Sequence, residues 1–362
     1  MMDNISTLRP VCGTTFCRYF LRNFEECHWS FEFSPVCKAC VLYEKSFGVE
    51  KNMKKRIIVT GGAGFIGSHL VNRLLSTNND VTVVDNLSSG KLELLDMTDP
   101  NLHFIKLDML NTDDLNTVIK DADIIFHLAA NPDVRLGVTD TKVHLEQNVV
   151  VTYNLLEAMR INGQKNIVFT STSTVYGDVD VIPTPENYGP LIPISLYGAS
   201  KLACEALITS YCHTFDMNSW IFRFANIVGP NGTHGIIIDF INKLKKDPRS
   251  LEILGDGKQN KSYIHVSDCI DAILFAVENS HDMANIFNIG SGDTISSTDI
   301  GKMVAEEMGL NNVDFTYTGG NRGWKGDVPK MMLSIDKIQK LGWKPTYNSG
   351  NSVRYAARSQ IV

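Results

Sequence analysis

The chain has 362 residues, of which 43% are hydrophobic and 20% are charged, and this composition excludes a wholly disordered protein. Its 40 acidic and 34 basic residues give a net charge of −6, which argues against nucleic acid or an anionic membrane as a partner. No apolar run reaches 18 residues, and the N-terminus shows no secretory signal. We therefore expect a cytoplasmic protein.

Residues 1–52 differ from the rest of the chain in cysteine content and in pattern. Five of the eight cysteines lie there, including the pair Cys37-x-x-Cys40, and no helical or strand periodicity runs through the segment. We expect an extension that is not part of the fold, with Met53 as the alternative natural start. A zinc module built on these cysteines and an interaction segment are the other readings.

From Lys54 onward, short apolar runs alternate with amphipathic stretches. The predicted strands are RIIVT at 56–60, VTVVD at 81–85, HFIKLD at 103–108, DIIFHLA at 123–129, NIVFTST at 166–172, SWIFRFAN at 219–226, and shorter ones at 251–254 and 286–290. The predicted helices cover 65–75, 142–161, 197–215, 235–246, 268–279 and 298–308. This alternation predicts an α/β fold, a Rossmann-like doubly wound parallel sheet with a smaller interleaved C-terminal α/β lobe.

A glycine-rich turn joins the first predicted strand to the first predicted helix. Gly61, Gly64 and Gly67 stand where a side chain would keep the backbone away from a pyrophosphate, and the helix N-terminus adds free N–H groups. Asp85 ends the second predicted strand, 18 residues after Gly67. A carboxylate there can accept the ribose hydroxyls and repels a 2′-phosphate, so the pattern predicts a dinucleotide site that prefers NAD to NADP.

Tyr197 and Lys201 form a Y-x-x-x-K pattern, which places both side chains on one face of a predicted helix. A hydroxyl-rich stretch at 169–177 ends a predicted strand at the edge that faces the ligand crevice in open α/β sheets. A tyrosine with its ordinary pKa of about 10 is a poor base at neutral pH. The Lys201 ammonium and a nicotinamide's positive charge would favour the phenolate, so we interpret Tyr197 as a general base whose pKa Lys201 lowers.

The chain from Met53 to about Pro345 resembles the extended short-chain dehydrogenase/reductase superfamily. Within it, the resemblance is to the NAD-dependent epimerase/dehydratase family and the nucleotide-sugar epimerases typified by UDP-glucose 4-epimerase. The segments that carry the resemblance are TGGAGFIGSHL, VVDNLSSG, HLAA, YGASK, RFANIVGP, YIHVSD and NIGSG, in the family's order and spacing. Thr172 precedes Tyr197 by 25 residues, as the family pattern requires.

The resemblance implies 4-epimerisation of a UDP-hexose, UDP-glucose or UDP-galactose, by transient oxidation at C4 and return of the hydride. Tyr197 would be the base on the 4-hydroxyl, Thr172 would bind the reacting oxygen, and Lys201 would bind the nicotinamide ribose. A UDP-N-acetylhexosamine or UDP-uronate 4-epimerase is the alternative enzyme, and a noncatalytic NAD-sensing regulator is the alternative from another class. The family also implies galactose metabolism and a homodimer.

The resemblance also assigns binding residues. Cofactor contacts are expected from Gly61, Gly64, Phe65, Ile66, Gly67, Asp85, Asn86, Leu87, Ser88, Ser89, Gly90, Asp108, Met109, Leu128, Ala129, Ala130, Asn148, Tyr197, Lys201 and Ala225. Substrate contacts are expected from Thr172, Tyr197, Asn226, Lys261, Arg322 and Met331, and no metal is expected. The NAD-binding domain would comprise 53–227 and about 262–290, the nucleotide-sugar lobe about 228–261 and 291–345, and a C-terminal tail 346–362.

Three departures from the family pattern narrow the function. Ser173 and Thr174 stand where dehydratases and decarboxylases of the family carry acidic residues, which favours plain epimerisation. Lys261 replaces an arginine, and Trp324 replaces the arginine of an R-x-G-D motif, with Arg322 as a substitute two residues upstream. Met331, four residues after Asp327, falls where a bulky residue excludes N-acetyl groups, and a flexible methionine there predicts some activity on N-acetylated sugars.

Overall fold

The computed structural model describes residues 54–361, so the cysteine-rich segment 1–52 and the zinc module considered for it lie outside the described residues. Within the described range, no helix combines the length and the apolar character needed to cross a membrane.

The elements follow the predicted alternation closely. The strands are β1 Arg56–Thr60, β2 Asp80–Asp85, β3 Leu102–Lys106, β4 Ile124–His127, β5 Asn166–Thr172, β6 Asn218–Phe224, β7 Asn226–Val228, β8 Ser250–Ile253, β9 Asn260–Lys261, β10 Tyr263–His265, β11 Ala284–Ile289, β12 Ile295–Ser296, β13 Asp314–Tyr317 and β14 Lys330–Met331. The α-helices are α1 Phe65–Ser76, α2 Thr112–Val118, α3 Val151–Asn162, α4 Leu196–Phe215, α5 Ile236–Lys246, α6 Val266–Asn279, α7 Ser297–Glu307, α8 Asp336–Leu341 and α9 Ser349–Ile361.

The central sheet has seven parallel strands in the order β11-β6-β5-β4-β1-β2-β3, which confirms the predicted doubly wound α/β fold. The strand order reverses at β1, which lies between β2 and β4. In such sheets a ligand binds in the crevice beyond the carboxyl ends of the strands at this reversal. The fold therefore places a binding site next to the glycine-rich turn that follows β1.

Alternating side chains of the inner strands fill two separate hydrophobic layers. Ile57 and Val59 of β1 pack with α1 and α6, whereas Ile58 between them packs with α2, α3 and α4. Because successive residues of a strand point to opposite faces, these clusters lie on the two sides of the sheet. Continuous Val and Ile runs are what a strand covered on both faces requires.

A third hydrophobic cluster belongs to the C-terminal lobe, where α5 and α7 pack against β8 and α9 packs against α5, α7 and β10. Val353, Ala356 and Ala357 of α9 are fully buried in it. The expectation of a C-terminal tail is therefore wrong for 349–361, which complete the lobe. The predicted helices end at 308, and α9 gives no strongly apolar pattern because its buried face consists mainly of small residues.

Two elements differ from their predicted form near the cleft. The run predicted as one strand at 219–226 divides at Ala225: β6 stays in the central sheet, while β7 pairs with β10 instead. The helix predicted from 142 begins with a wide π-helical turn, Leu145–Val150, before α3. The first change turns Asn226 away from the sheet, and the second places Asn148 within an irregular turn.

Candidate active site

A cavity of about 720 Å³ lies at the carboxyl ends of the central strands. Most of the predicted site residues line it, namely Gly61, Gly64, Phe65, Ile66, Gly67, Asp85, Asn86, Ser88, Ser89, Asp108, Met109, Leu128, Ala129, Ala130, Thr172, Tyr197, Lys201, Ala225 and Asn226. Its volume lies within the usual range for small-molecule and cofactor sites.

The glycine-rich turn has the shape that a dinucleotide requires. A Cβ on Gly67 would lie 2.1 Å from the Gly61 carbonyl oxygen, and a Cβ on Gly61, whose φ is +69°, would lie 2.7 Å from the Ala129 nitrogen. Gly64 begins α1 without a side-chain cap, and the first turn of that helix carries no acidic residue. The N–H groups and positive end of α1 are thus available to a pyrophosphate, so the residues present fit NAD.

The backbone around Asp85 packs closely against its carboxylate, and Leu87 and Gly90, both predicted to contact the cofactor, take part in this packing. Its Oδ1 accepts the Leu87 N–H at 2.8 Å, and its Oδ2 accepts the Ala63 N–H at 3.0 Å. A Cβ on Gly90 would lie 2.9 Å from both carboxylate oxygens. Leu87 and Gly90 do not line the cavity; they shape the loop around Asp85.

Asn148 likewise does not line the cavity, contrary to the expectation of a cofactor contact. It is buried, its Oδ1 accepts the Asn131 N–H at 2.8 Å, and its Nδ2 donates to Ser200 Oγ at 2.9 Å. Ser200 Oγ in turn donates to the backbone oxygen of Tyr197 at 2.7 Å. Asn148 therefore connects a loop that borders the cavity to the helix turn that carries Tyr197.

Lys201 is buried and reaches across to the strand beside it. Its Nζ donates to the backbone oxygen of Thr170 at 2.9 Å and lies 4.7 Å from the centre of the Phe169 ring. Burial lowers the pKa of Lys201 to about 8, while the neighbouring Cys204 and Glu205 act in the opposite direction. The ammonium form thus prevails at neutral pH.

Tyr197 has a pKa that its buried position alters. Burial raises the pKa of its phenol above the ordinary value, and Cys204 raises it further. Without a ligand, desolvation is the largest influence on this pKa and acts against the phenolate. The lowering by Lys201 together with a nicotinamide's positive charge stays a prediction for the site with the cofactor bound.

Thr172 is the last of three consecutive hydroxyl-bearing residues, 170–172, at the end of β5. Its Oγ1 accepts the Thr174 N–H at 3.2 Å and so caps the short turn Ser173–Val175. Thr172 and Tyr197 both line the larger cavity. The structure therefore brings the predicted catalytic residues Thr172, Tyr197 and Lys201 together.

A second, smaller cavity of about 120 Å³ adjoins the first. The two cavities share Val134, Ser173, Thr174 and Asn226 as lining residues. Lys261 and Met331, both predicted to contact the substrate, also line the smaller cavity. This arrangement suits a ligand that lies beside the dinucleotide and meets it near Thr172.

The charges around the smaller cavity are arranged differently from the prediction. Lys261 Nζ donates to Asp327 Oδ1 at 2.5 Å and lies 5.0 Å from the centre of the Trp324 ring, and Arg135 stacks over the same ring at 4.6 Å. Arg322 lines neither cavity; it pairs with Asp178 at 2.7 Å and donates to the Asp327 backbone oxygen. Arg322 is therefore paired with a carboxylate outside both cavities. Of the two cations predicted to contact the substrate, Lys261 is the one that lines the smaller cavity.

Several residues that line the larger cavity were not predicted to contact a ligand, and two of them belong to a loop after β6, the sixth strand of the chain. Thr233 and His234 follow β7 in a loop rich in glycine and proline turns. Nothing in their local pattern distinguishes them from an ordinary surface loop. Only the break at Ala225, which carries β7 away from the sheet, brings this loop over the cleft.

The chain is similar to several known proteins along most of its length. A crystal structure of a UDP-galactose 4-epimerase is 43% identical to the chain with a TM-score of 0.76, over 84% of this chain and 98% of that one. The UDP-glucose 4-epimerase of Mycolicibacterium smegmatis is 33% identical over 80% of this chain and 93% of its own length. The structure of MoeE5 in complex with UDP-glucuronic acid and NAD is 32% identical, with a TM-score of 0.74, over 84% of this chain and 97% of that one.

The model of the NAD dependent epimerase/dehydratase family matches residues 57–290, which include the glycine-rich turn, Thr172, Tyr197 and Lys201. The match begins in β1 and ends just after β11, so it spans the whole central sheet. The chain therefore belongs to the NAD dependent epimerase/dehydratase family, and its cofactor is NAD, as the sequence predicted.

Proposed function

We propose that the protein interconverts UDP-glucose and UDP-galactose as a UDP-hexose 4-epimerase. The observation that carries the proposal is that Thr172, Tyr197 and Lys201 all line the larger cavity, which shares the lining residues Ser173 and Thr174, directly after Thr172, with the smaller one. Bound NAD supplies the acceptor that takes the hydrogen from C4 and later returns it. The likeness to proteins named UDP-galactose and UDP-glucose 4-epimerases supports the same reaction.

In this proposal Tyr197 takes the proton of the sugar 4-hydroxyl, and Thr172 donates a hydrogen bond to the same oxygen. The protein alone holds the Tyr197 phenol protonated, because burial raises its pKa. Positive charge that enters the cleft beside it would favour the phenolate and so strengthen the base. Such a dependence would couple the strength of the base to the presence of the cofactor.

Ser173 and Thr174 support epimerisation over the other reactions of the family. Both residues line the two cavities directly after Thr172, and neither can act as a carboxylic acid or carboxylate. Among the described residues that line the smaller cavity, Asp327 is the one with a carboxylate, and this carboxylate forms an ion pair with Lys261. Elimination of water or loss of carbon dioxide would lack a free acid or base at that position.

The nucleotide diphosphate would lie between Asn226 and Lys261. Asn226 Nδ2 donates to the Ser262 backbone oxygen at 3.0 Å, which fixes the amide at the junction of the cavities. Lys261 lines the smaller cavity beside it, where its ammonium would have to serve both Asp327, with which it is paired, and an anionic ligand. Arg322, committed to Asp178, is not part of this proposed site.

We also propose a homodimer formed through α3 and α4. The two helices pack against each other, and exposed apolar side chains lie on them and just before α3, namely Leu145, Tyr153 and Leu196. Exposed apolar side chains on a pair of adjacent helices favour association with a second copy. Light scattering should give twice the chain mass, and a monomeric mass at micromolar concentration would contradict the proposal.

The proposed function is tested by incubating the purified protein with UDP-glucose, UDP-galactose, their N-acetylated counterparts and UDP-glucuronate, and by analysing the products chromatographically. We expect the fastest conversion between UDP-glucose and UDP-galactose. Conversion of UDP-glucuronate alone would favour a uronate epimerase. Binding of NAD without turnover of any of the sugars would favour a noncatalytic regulator.

A further inference from the structure

A buried ion pair lies directly behind the catalytic residues. Arg223 of β6 and Glu205 of α4 are 3% and 4% exposed. The Arg223 guanidinium donates from Nε and Nη2 to both carboxylate oxygens of Glu205, with distances of 2.7 to 3.2 Å. Since the gain from a buried pair is often no greater than its desolvation cost, stability alone does not explain the pair, and its other contacts matter.

Two hydrogen bonds lead from this pair to residues on either side of Thr172. Ser171 Oγ donates to Glu205 Oε1 at 2.5 Å, and Arg223 Nη1 donates to the Tyr176 hydroxyl at 2.9 Å. Ser171 directly precedes Thr172, and Tyr176 ends the short turn that Thr172 caps. The segment that presents the Thr172 hydroxyl is therefore anchored at both ends to one rigid, forked pair.

The same pair connects this segment to the helix that carries Tyr197. Glu205 lies one helical turn after Lys201, which donates to the Thr170 backbone oxygen at 2.9 Å. Strand β5 is thus attached to α4 at two successive residues, Thr170 and Ser171. The distance between the Thr172 and Tyr197 side chains depends on these attachments, because one residue lies on each element.

We propose that Glu205 and Arg223 are positioning residues, which act through Ser171 and Tyr176 to hold the Thr172 hydroxyl at the reacting oxygen. The inference rests on the proposed function, since it takes Thr172 to contact the substrate. A misplacement of about 1 Å at a reacting group costs on the order of 10²-fold in rate. The anchors therefore affect kcat while leaving substrate affinity nearly unchanged.

Two mild variants release one anchor each and keep the ion pair. We expect Ser171→Ala and Tyr176→Phe each to lower kcat by roughly 10-fold or more, with KM and NAD affinity within about twofold of wild type. Because Ser171 lines the larger cavity and Tyr176 the smaller one, a larger change in KM or NAD affinity would indicate direct ligand contact and contradict a positioning role. The matched control is Ser219→Ala, which removes an equally buried hydroxyl near the start of β6, at the opposite end of the sheet. It should leave kcat unchanged, and an equal loss of kcat in this control would contradict the inference.

The decisive comparison places Ser171→Ala in a Thr172→Ala background. If Ser171 acts through Thr172, the second substitution causes no further loss of kcat once the Thr172 hydroxyl is gone. The same fold-loss in both backgrounds would overturn this inference and leave the proposed function standing. A wild-type kcat in Thr172→Ala alone would remove Thr172 from the proposed function, and this inference with it.

Discussion

Met331 lies directly opposite Lys261 in the parallel pairing of β14 with β9, and both side chains line the smaller cavity. The register therefore places a flexible apolar side chain next to the cation proposed for the diphosphate. Met332 follows directly after β14 and does not line the cavity. This pair of methionines offers a matched test of sugar specificity.

Met331→Tyr should suppress conversion of N-acetylated UDP-sugars while sparing UDP-glucose and UDP-galactose. A tyrosine ring would occupy part of the cavity of about 120 Å³, whereas methionine can move away from an incoming group. Ratios of kcat/KM for the two sugar pairs measure the effect, with Met332→Tyr as the control. Equal slowing of both pairs in Met331→Tyr, or no N-acetylhexosamine turnover by the wild type, would contradict this assignment.

Tyr197→Phe should retain NAD and lower kcat by at least about 10²-fold, the usual scale for the loss of a general base. The ring would still pack against His144, whose ring centre lies 5.6 Å away, so the fold should be unaffected. Turnover with saturating UDP-galactose, together with the NAD content of the purified variant, provides the test. A variant close to the wild-type rate would mean that another group is the base.

Asp85→Ala should weaken NAD more than NADP, because it removes both a ribose acceptor and the repulsion of a 2′-phosphate. The substitution also frees the Ala63 and Leu87 N–H groups that the carboxylate accepts, so some loss of affinity for both cofactors is expected. Asp85→Asn is the control for shape. Dissociation constants of both cofactors decide the matter, and an equal fall in the two affinities would refute the assignment.

His127 should make the folded protein less stable in acid. It is fully buried between Thr60 and Thr152, with ring nitrogens 2.7 and 3.0 Å from their hydroxyls, and burial lowers its pKa to about 3. Below the ordinary value of about 6.5, the unfolded chain binds a proton that the folded protein does not. The free energy of unfolding contributed by His127 therefore falls as pH drops, by up to about 1.4 kcal/mol per pH unit.

Urea unfolding of the wild type and of His127→Gln, at about pH 7 and about pH 5, measures this contribution by difference. Other titrating groups act in both proteins, so the wild type should lose more stability than the variant over this interval. An identical loss in the two proteins would show that His127 does not contribute to the pH dependence.

Local spacing in the sequence predicts the features that depend on backbone geometry. The sequence predicts the glycine-rich turn at Gly61, Gly64 and Gly67, because each glycine reflects a steric requirement within that turn. It also predicts the pair Tyr197 and Lys201, because residues i and i+4 share one face of a helix. The partners of a side chain from a distant segment leave no such record. Arg322 was therefore expected at the substrate, whereas Asp178, 144 residues away in the sequence, binds it.

The same reasoning explains the role of Asn148. A resemblance identifies the position but not the direction of a contact, and Asn148 faces Asn131 and Ser200 instead of the cavity. The pKa of Tyr197 also depends on burial, which no local pattern reports. The sequence could thus predict which residues gather at the cleft more reliably than what each of them touches.

The most direct test of the proposed reaction uses UDP-glucose that carries deuterium at C4. If Tyr197 removes only the hydroxyl proton and the C4 hydrogen returns within the same pocket, the UDP-galactose formed keeps the deuterium at C4. Mass spectrometry and NMR of the product locate the label. Loss of the deuterium to water during epimerisation would contradict the account, as would a product of changed oxidation state.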